Sequence, residues 1–123
     1  MRVDWRVACT LAIAPIVLAG CNRGTASAVT GGDPLRGAAA ISHYGCGSCH
    51  SIEGIPDAHG LVGPPLSSLG KRVYIAGMLA NTPDNLERWV RHPTKINEKT
   101  LMPDVGVTAG DATDIAAYLY SLK

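Results

Sequence analysis

The chain has 123 residues, 46% of them hydrophobic and none phenylalanine, with 11 basic and 10 acidic side chains for a formal charge of +1. That length holds one domain of ordinary size, and so even a charge leaves no electrostatic footprint for a nucleic-acid binder. Of the four cysteines, Cys9 and Cys21 fall near the start, so only Cys46 and Cys49 remain in the body of the chain and no disulfide framework is indicated.

Residues 1–20 carry Arg2 and Arg6, then an apolar stretch over 7–20 that is too short, and too interrupted by Pro15, to span a bilayer comfortably. This is the anatomy of a secretory signal. Its end, Leu18-Ala19-Gly20-Cys21, resembles the lipobox of bacterial lipoproteins residue by residue. The resemblance implies cleavage before Cys21, acylation of that residue, and a membrane-anchored protein of the bacterial cell envelope facing the periplasm or the exterior. An ordinary cleaved signal or an uncleaved anchor are the alternatives. Loss of Arg2, Arg6 and Asp4 with the leader leaves nine charges of each sign. Residues 21–32 are small and polar after the cysteine, with no apolar period, and read as a flexible tether. The expected division is therefore 1–20 signal, 21–32 lipidated Cys21 and tether, and 33–123 a folded domain.

Asp33-Pro34 pairs a capping acceptor with proline at the first helical position, predicting a helix to about Gly45. Gly37, Ile41 and Tyr44 share one of its faces, and His43 reads as a surface residue. Then comes Cys46-Gly47-Ser48-Cys49-His50. A CxxCH motif is a c-type haem attachment site: each thiol forms a thioether to the porphyrin, and the histidine reaches the iron. Half a zinc site would need further ligands that do not follow. A thioredoxin-like pair would need a βαβ pattern that the Gly- and Pro-rich flanks do not supply.

Residues 51–70 form a loop rich in Gly and Pro, which packing onto a cofactor can hold. A short helix is expected within 71–80. Thr82-Pro83 repeats the capping signature and opens a helix to His92, where Pro93 stops it, with Leu86, Trp89 and Val90 on the apolar face. The last helix opens at Thr108, with Asp111 as the capping-box acid, and runs to Leu122. No strand is expected. Four side chains are candidates for a second axial ligand: Met78, Met102, His59 and His92. Met102 ranks first, because Thr100-Leu101-Met102-Pro103 is irregular and can lay a thioether on the haem, whereas Met78 reads as a core residue.

From residue 33 onward the sequence resembles the class I cytochromes c. The matching pieces are the CxxCH motif, Gly63-Pro64-Pro65-Leu66, Gly70-Lys71-Arg72, Asn85-Leu86-Glu87-Arg88-Trp89 with His92-Pro93, Thr100-Leu101-Met102-Pro103, and residues 114–119. The resemblance implies an all-α cytochrome c fold, three main helices with short helices and loops around one covalently bound haem c. It further implies that the Pro64 carbonyl bonds the ring N–H of His50, that the first helix crosses the last at Ile115 and Tyr118, and that Trp89 lies beside the haem. Arg72, Tyr74 and Thr100 are its candidates for the haem propionates. The implied function is single-electron transfer by a carrier, not an enzyme. Its partners would be a respiratory oxidase, a quinol–cytochrome c reductase or a periplasmic dehydrogenase. Six basic residues in 71–99 (Lys71, Arg72, Arg88, Arg91, Lys95, Lys99) form a docking surface if they surround the haem edge. A five-coordinate gas sensor or peroxidase-like protein is the alternative should Met102 not reach the iron.

Overall fold

A computed structural model describes residues 23–122; the signal region and Cys21 lie outside them. In chain order it has α1 (Arg23–Thr30), α2 (Pro34–His43), a 3-10 turn at Cys46–Ser48, a second at Leu69–Lys71, β1 (Tyr74–Ile75), β2 (Leu79–Ala80), α3 (Pro83–Arg91), α4 (Pro93–Ile96) and α5 (Ala109–Ser121). The fold is all-α but for the two-residue strands.

The crossing of α2 and α5 is the frame. Asp33 caps α2 by accepting from Leu35 N at 2.8 Å, with Pro34 at the first helical position. Gly37 sits where the helices touch: a Cβ there would strike the Asp114 carbonyl and stand 3.0 Å from Tyr118 Cβ. Ile41 and Ile115 fill the same contact and are almost wholly buried. Beside it Asp114, the one buried charged residue among those described, accepts from Asp33 N at 2.7 Å and from Arg36 Nε and Nη2 at 2.7 and 3.0 Å. The Arg36 guanidinium holds this carboxyl below the usual carboxylate range.

Thr108 caps α5 as expected, accepting from Asp111 N. The Asp111 carboxylate departs from a capping box. It takes hydroxyl bonds from Tyr44 and Thr108, both at 2.7 Å, while Thr108 N donates to Tyr44 Oη at 3.4 Å. Tyr44, at the end of α2, thereby ties both helices together.

Three expectations need correction, and a fourth, that Pro93 stops α3, holds with an addition. The segment read as a tether is helical over Arg23–Thr30 and packs on α5. Ala26 is buried there, Ser27 Oγ donates to Gly32 O at 2.6 Å, and Gly32 lies against the Thr113 carbonyl, contacts that a composition count does not see. Residues 71–80 hold an antiparallel hairpin instead of a helix, with Tyr74 opposite Ala80 and Ile75 opposite Leu79. Its turn uses positive φ at Ala76 (53°) and Gly77 (69°). Asn81 pins it, donating to Leu69 O and Arg72 O at 2.7 and 2.9 Å and accepting from Tyr120 Oη at 2.8 Å. Pro93 ends α3 yet opens α4 at once, since proline suits a first helical turn. Met78, read as core, stands 49% exposed beside the hairpin turn.

Candidate functional site

The chain turns out of α2 through Gly45 (φ 69°) into the 3-10 turn of the motif. Cys49 N and His50 N both return to Cys46 O, at 3.3 and 3.0 Å, which brings the two cysteines and the histidine within one tight loop. The loop is braced from outside by Gly60 N to Gly47 O at 3.0 Å and Gly63 N to Cys49 O at 2.8 Å. Gly63 abuts the imidazole so closely that a Cβ would stand 2.6 Å from Nδ1.

His50 Nδ1 lies 2.8 Å from the Pro64 carbonyl oxygen, as the resemblance implies. A carbonyl only accepts, so Nδ1 carries the proton and Nε2 keeps its lone pair for a metal. Both thiols are free and half-buried. Burial pushes the Cys46 thiol above its usual range.

These residues open onto a cavity of about 530 Å³. Its floor is apolar, built from Ile41, Leu69, Leu86, Val90, Ile115 and Leu119; the hairpin supplies Ile75 and Gly77. Cys46, Cys49, His50, Pro64, Arg72, Tyr74, Trp89, Thr100 and Met102 all line it, so the expected site residues of the folded domain come together in one place. Of the four axial candidates, Met102 alone does. His59 and Met78 are exposed elsewhere, and His92 is engaged by Asp104 at 3.2 Å.

The donor set suits a flat macrocycle in a dry slot. Two thiols and an imidazole stand on one segment and a thioether on another, around apolar side chains, with Arg72 the one fixed charge in the lining. Arg72 Nη2 is already spent on the carbonyls of Pro65 and Ser67, at 2.6 and 2.9 Å. It staples the loop after His50. Thr100 Oγ1 accepts from Met102 N at 3.1 Å and so shapes the methionine turn. Tyr74 is 62% exposed at the mouth, and Trp89 is half-buried.

The cavity lining by itself does not carry the expected basic docking surface. Apart from Arg72, none of the six basic residues lines the cavity, because α3 turns Leu86, Trp89 and Val90 toward it and leaves Arg88 and Arg91 on other faces. The large exposed side chains in the lining are Val62, Tyr74, Leu101 and Val105, all uncharged and mostly apolar. Sequence reasoning passed over Val62 and the hairpin; Gly77 between two short apolar pairs was the available signal.

A small all-α domain in which a CxxCH turn and a methionine loop share one apolar cavity is the architecture of a haem-carrying electron carrier. The chain belongs to the cytochrome c family, whose profile, described as Cytochrome c, matches residues 35–123. Membership implies haem c and makes this a mono-haem c-type cytochrome domain. Subunit 2 of cytochrome c oxidase from Alkalihalophilus pseudofirmus is 37% identical over 79 residues, covering 63% of this chain and 22% of that protein. Its namesake from Bacillus sp. strain PS3 is 31% identical over 91 residues, covering 68% and 25%. The chain thus spans about a quarter of the length of these curated relatives. No solved structure gives a significant match. Among the described residues no helix is long and apolar enough to cross a membrane.

Proposed function

We propose that the domain carries one haem c, joined by thioethers to Cys46 and Cys49 and ligated by His50 and Met102, and that it relays single electrons with a respiratory oxidase as neighbour. The observation that carries this reading is the shared cavity, which Met102 alone of the four axial candidates lines together with His50. When bound, haem supplies a one-electron Fe(III)/Fe(II) couple, and methionine with histidine raises its potential.

The chain's own residues govern the conditions. The Pro64 carbonyl fixes the His50 tautomer and strengthens Nε2 as a donor. Apolar side chains of α2, α3 and α5 keep water out, so little has to rearrange around a change of charge. Two strong ligands leave no open position for a substrate. Val62, Tyr74 and Leu101 give the mouth an apolar rim suited to brief contact with a redox partner. Similarity to oxidase subunits in two bacteria favours that partner over a quinol–cytochrome c reductase or a dehydrogenase. Residues 1–20 act as the lipoprotein signal and Cys21 as the lipid anchor, which holds the domain at the cell envelope.

The test is the optical spectrum of the haem-loaded protein. Wild type should show the weak far-red sulfur-to-iron band when ferric. Met102→Ala should lose it and bind carbon monoxide readily when ferrous. A wild type without the band that binds carbon monoxide at once would contradict the reading.

A further inference from the structure

We propose that His92 and Asp104 form a clasp that holds the Met102 loop against the cavity, making both positioning residues that set how firmly the methionine is presented. The proposal rests on Met102 being the ligand named above. Between α4 and α5 the loop is thinly attached. Leu101, Pro103, Asp104, Val105 and Gly106 are exposed, and among the described residues none from 101 to 106 takes part in a backbone–backbone bond. Before this stretch Thr100 is fixed, its N–H bonding Asn97 O at 3.1 Å and its Oγ1 accepting from Met102 N at 3.1 Å. After it Val107 is buried.

Between those two points one side-chain link ties the stretch to another part of the fold, from His92 Nδ1 to Asp104 Oδ2 at 3.2 Å. The second Asp104 oxygen accepts from Gly106 N at 3.1 Å, so the carboxylate also folds the loop on itself. His92 is a firm post. It joins α3 to α4, its N–H bonds Arg88 O at 3.0 Å, and the adjacent Pro93 is fully buried. The clasp closes two residues beyond Met102, so releasing it frees the segment that carries the thioether. Both partners are more than a third exposed, which makes the expected effect modest.

The experiment compares haem-loaded wild type, His92→Ala, Asp104→Ala, Asp104→Asn and the double alanine variant. It reads carbon monoxide association with the ferrous protein, the far-red ferric band, and amide hydrogen exchange. Each alanine variant should bind carbon monoxide about two- to five-fold faster, and the double variant no faster than Asp104→Ala, which also removes the Gly106 bond. Faster exchange should be confined to the Met102 and Gly106 amides, the two in the loop that have a bond to lose. Asp104→Asn keeps one acceptor oxygen where wild type uses two, for His92 and for Gly106 N, so it should fall between wild type and Asp104→Ala, a graded response that loss of general stability would not explain. Alanine variants with wild-type rates, effects that add in the double variant, or exchange that rises throughout the domain overturn the clasp. A wild type with no far-red band, its carbon monoxide binding unchanged by Met102→Ala, would instead remove the ligand reading and the clasp's purpose with it.

Discussion

Around His50 the main chain is bonded to itself at short intervals, by His50 N to Cys46 O, Gly63 N to Cys49 O and Leu66 N to Ser51 O, at 2.8 to 3.0 Å. Around Met102 it is not, and the loop depends on side chains: Thr100 below, His92 and Asp104 above. Glycine marks the same contrast. Gly47, Gly60 and Gly63 each lie where a Cβ would collide with a neighbour, whereas a Cβ on Gly106 would meet nothing. The histidine side is thus fixed by backbone geometry that tolerates no added atom, while the methionine side can be retuned by surface substitutions. On the ligation proposed above, attachment would fall to one wall of the cavity and adjustment of ligand strength to the other.

Gly63→Ala attacks the dense wall directly and should have the largest effect. The new methyl group cannot coexist with the imidazole in its present position. Overpacking of this kind costs about 3 kcal/mol, read as a lowered Tm of the haem-loaded protein. An unchanged Tm would mean that this wall yields as easily as the other.

Asp114→Asn tests the helix frame behind the wall. It removes the charge from the buried end of the Arg36 pair and leaves Arg36 only Asp33, at 3.1 Å, and chemical denaturation should show a loss of about 2 kcal/mol. The pH dependence follows from the lowered pKa of Asp114 in the fold. Its contribution is complete above the ordinary carboxylate value of about 4 and is lost as pH falls through that value toward the folded one. Wild type should therefore lose more stability than Asp114→Asn between about pH 5 and pH 3, and parallel curves would refute the assignment. Leu101→Ala, in the thin wall and 86% exposed, should change stability by no more than about 0.5 kcal/mol. A larger loss would show that the loop is packed more tightly than its exposure implies.

Much of this was legible before any coordinates, and for stated reasons. The CxxCH spacing and the Asp33-Pro34, Thr82-Pro83 and Thr108 caps act over a few neighbouring residues, so they survive in one dimension, and the helices begin where they indicate. Met102 was read from the irregular segment around it and Pro64 from the family resemblance alone; both line the one cavity. What escaped depends on distant partners. The helix at Arg23–Thr30 is built of small and polar residues that read as a tether and is held by α5. The hairpin turn puts Ala76 at φ 53°, a conformation that a Cβ disfavours and no propensity announces. The basic residues of 71–99 were counted along the chain, but the direction in which α3 presents them is set by its packing.

The most direct measurement is the proton spectrum of the reduced haem-loaded protein with its methionine methyl groups isotopically labelled. A thioether bound at the iron lies over the porphyrin, and its methyl resonance is driven far upfield by the ring current. The account predicts one such resonance, absent in Met102→Leu and unchanged in Met78→Leu. No upfield methyl in wild type, or one that survives Met102→Leu, would contradict it.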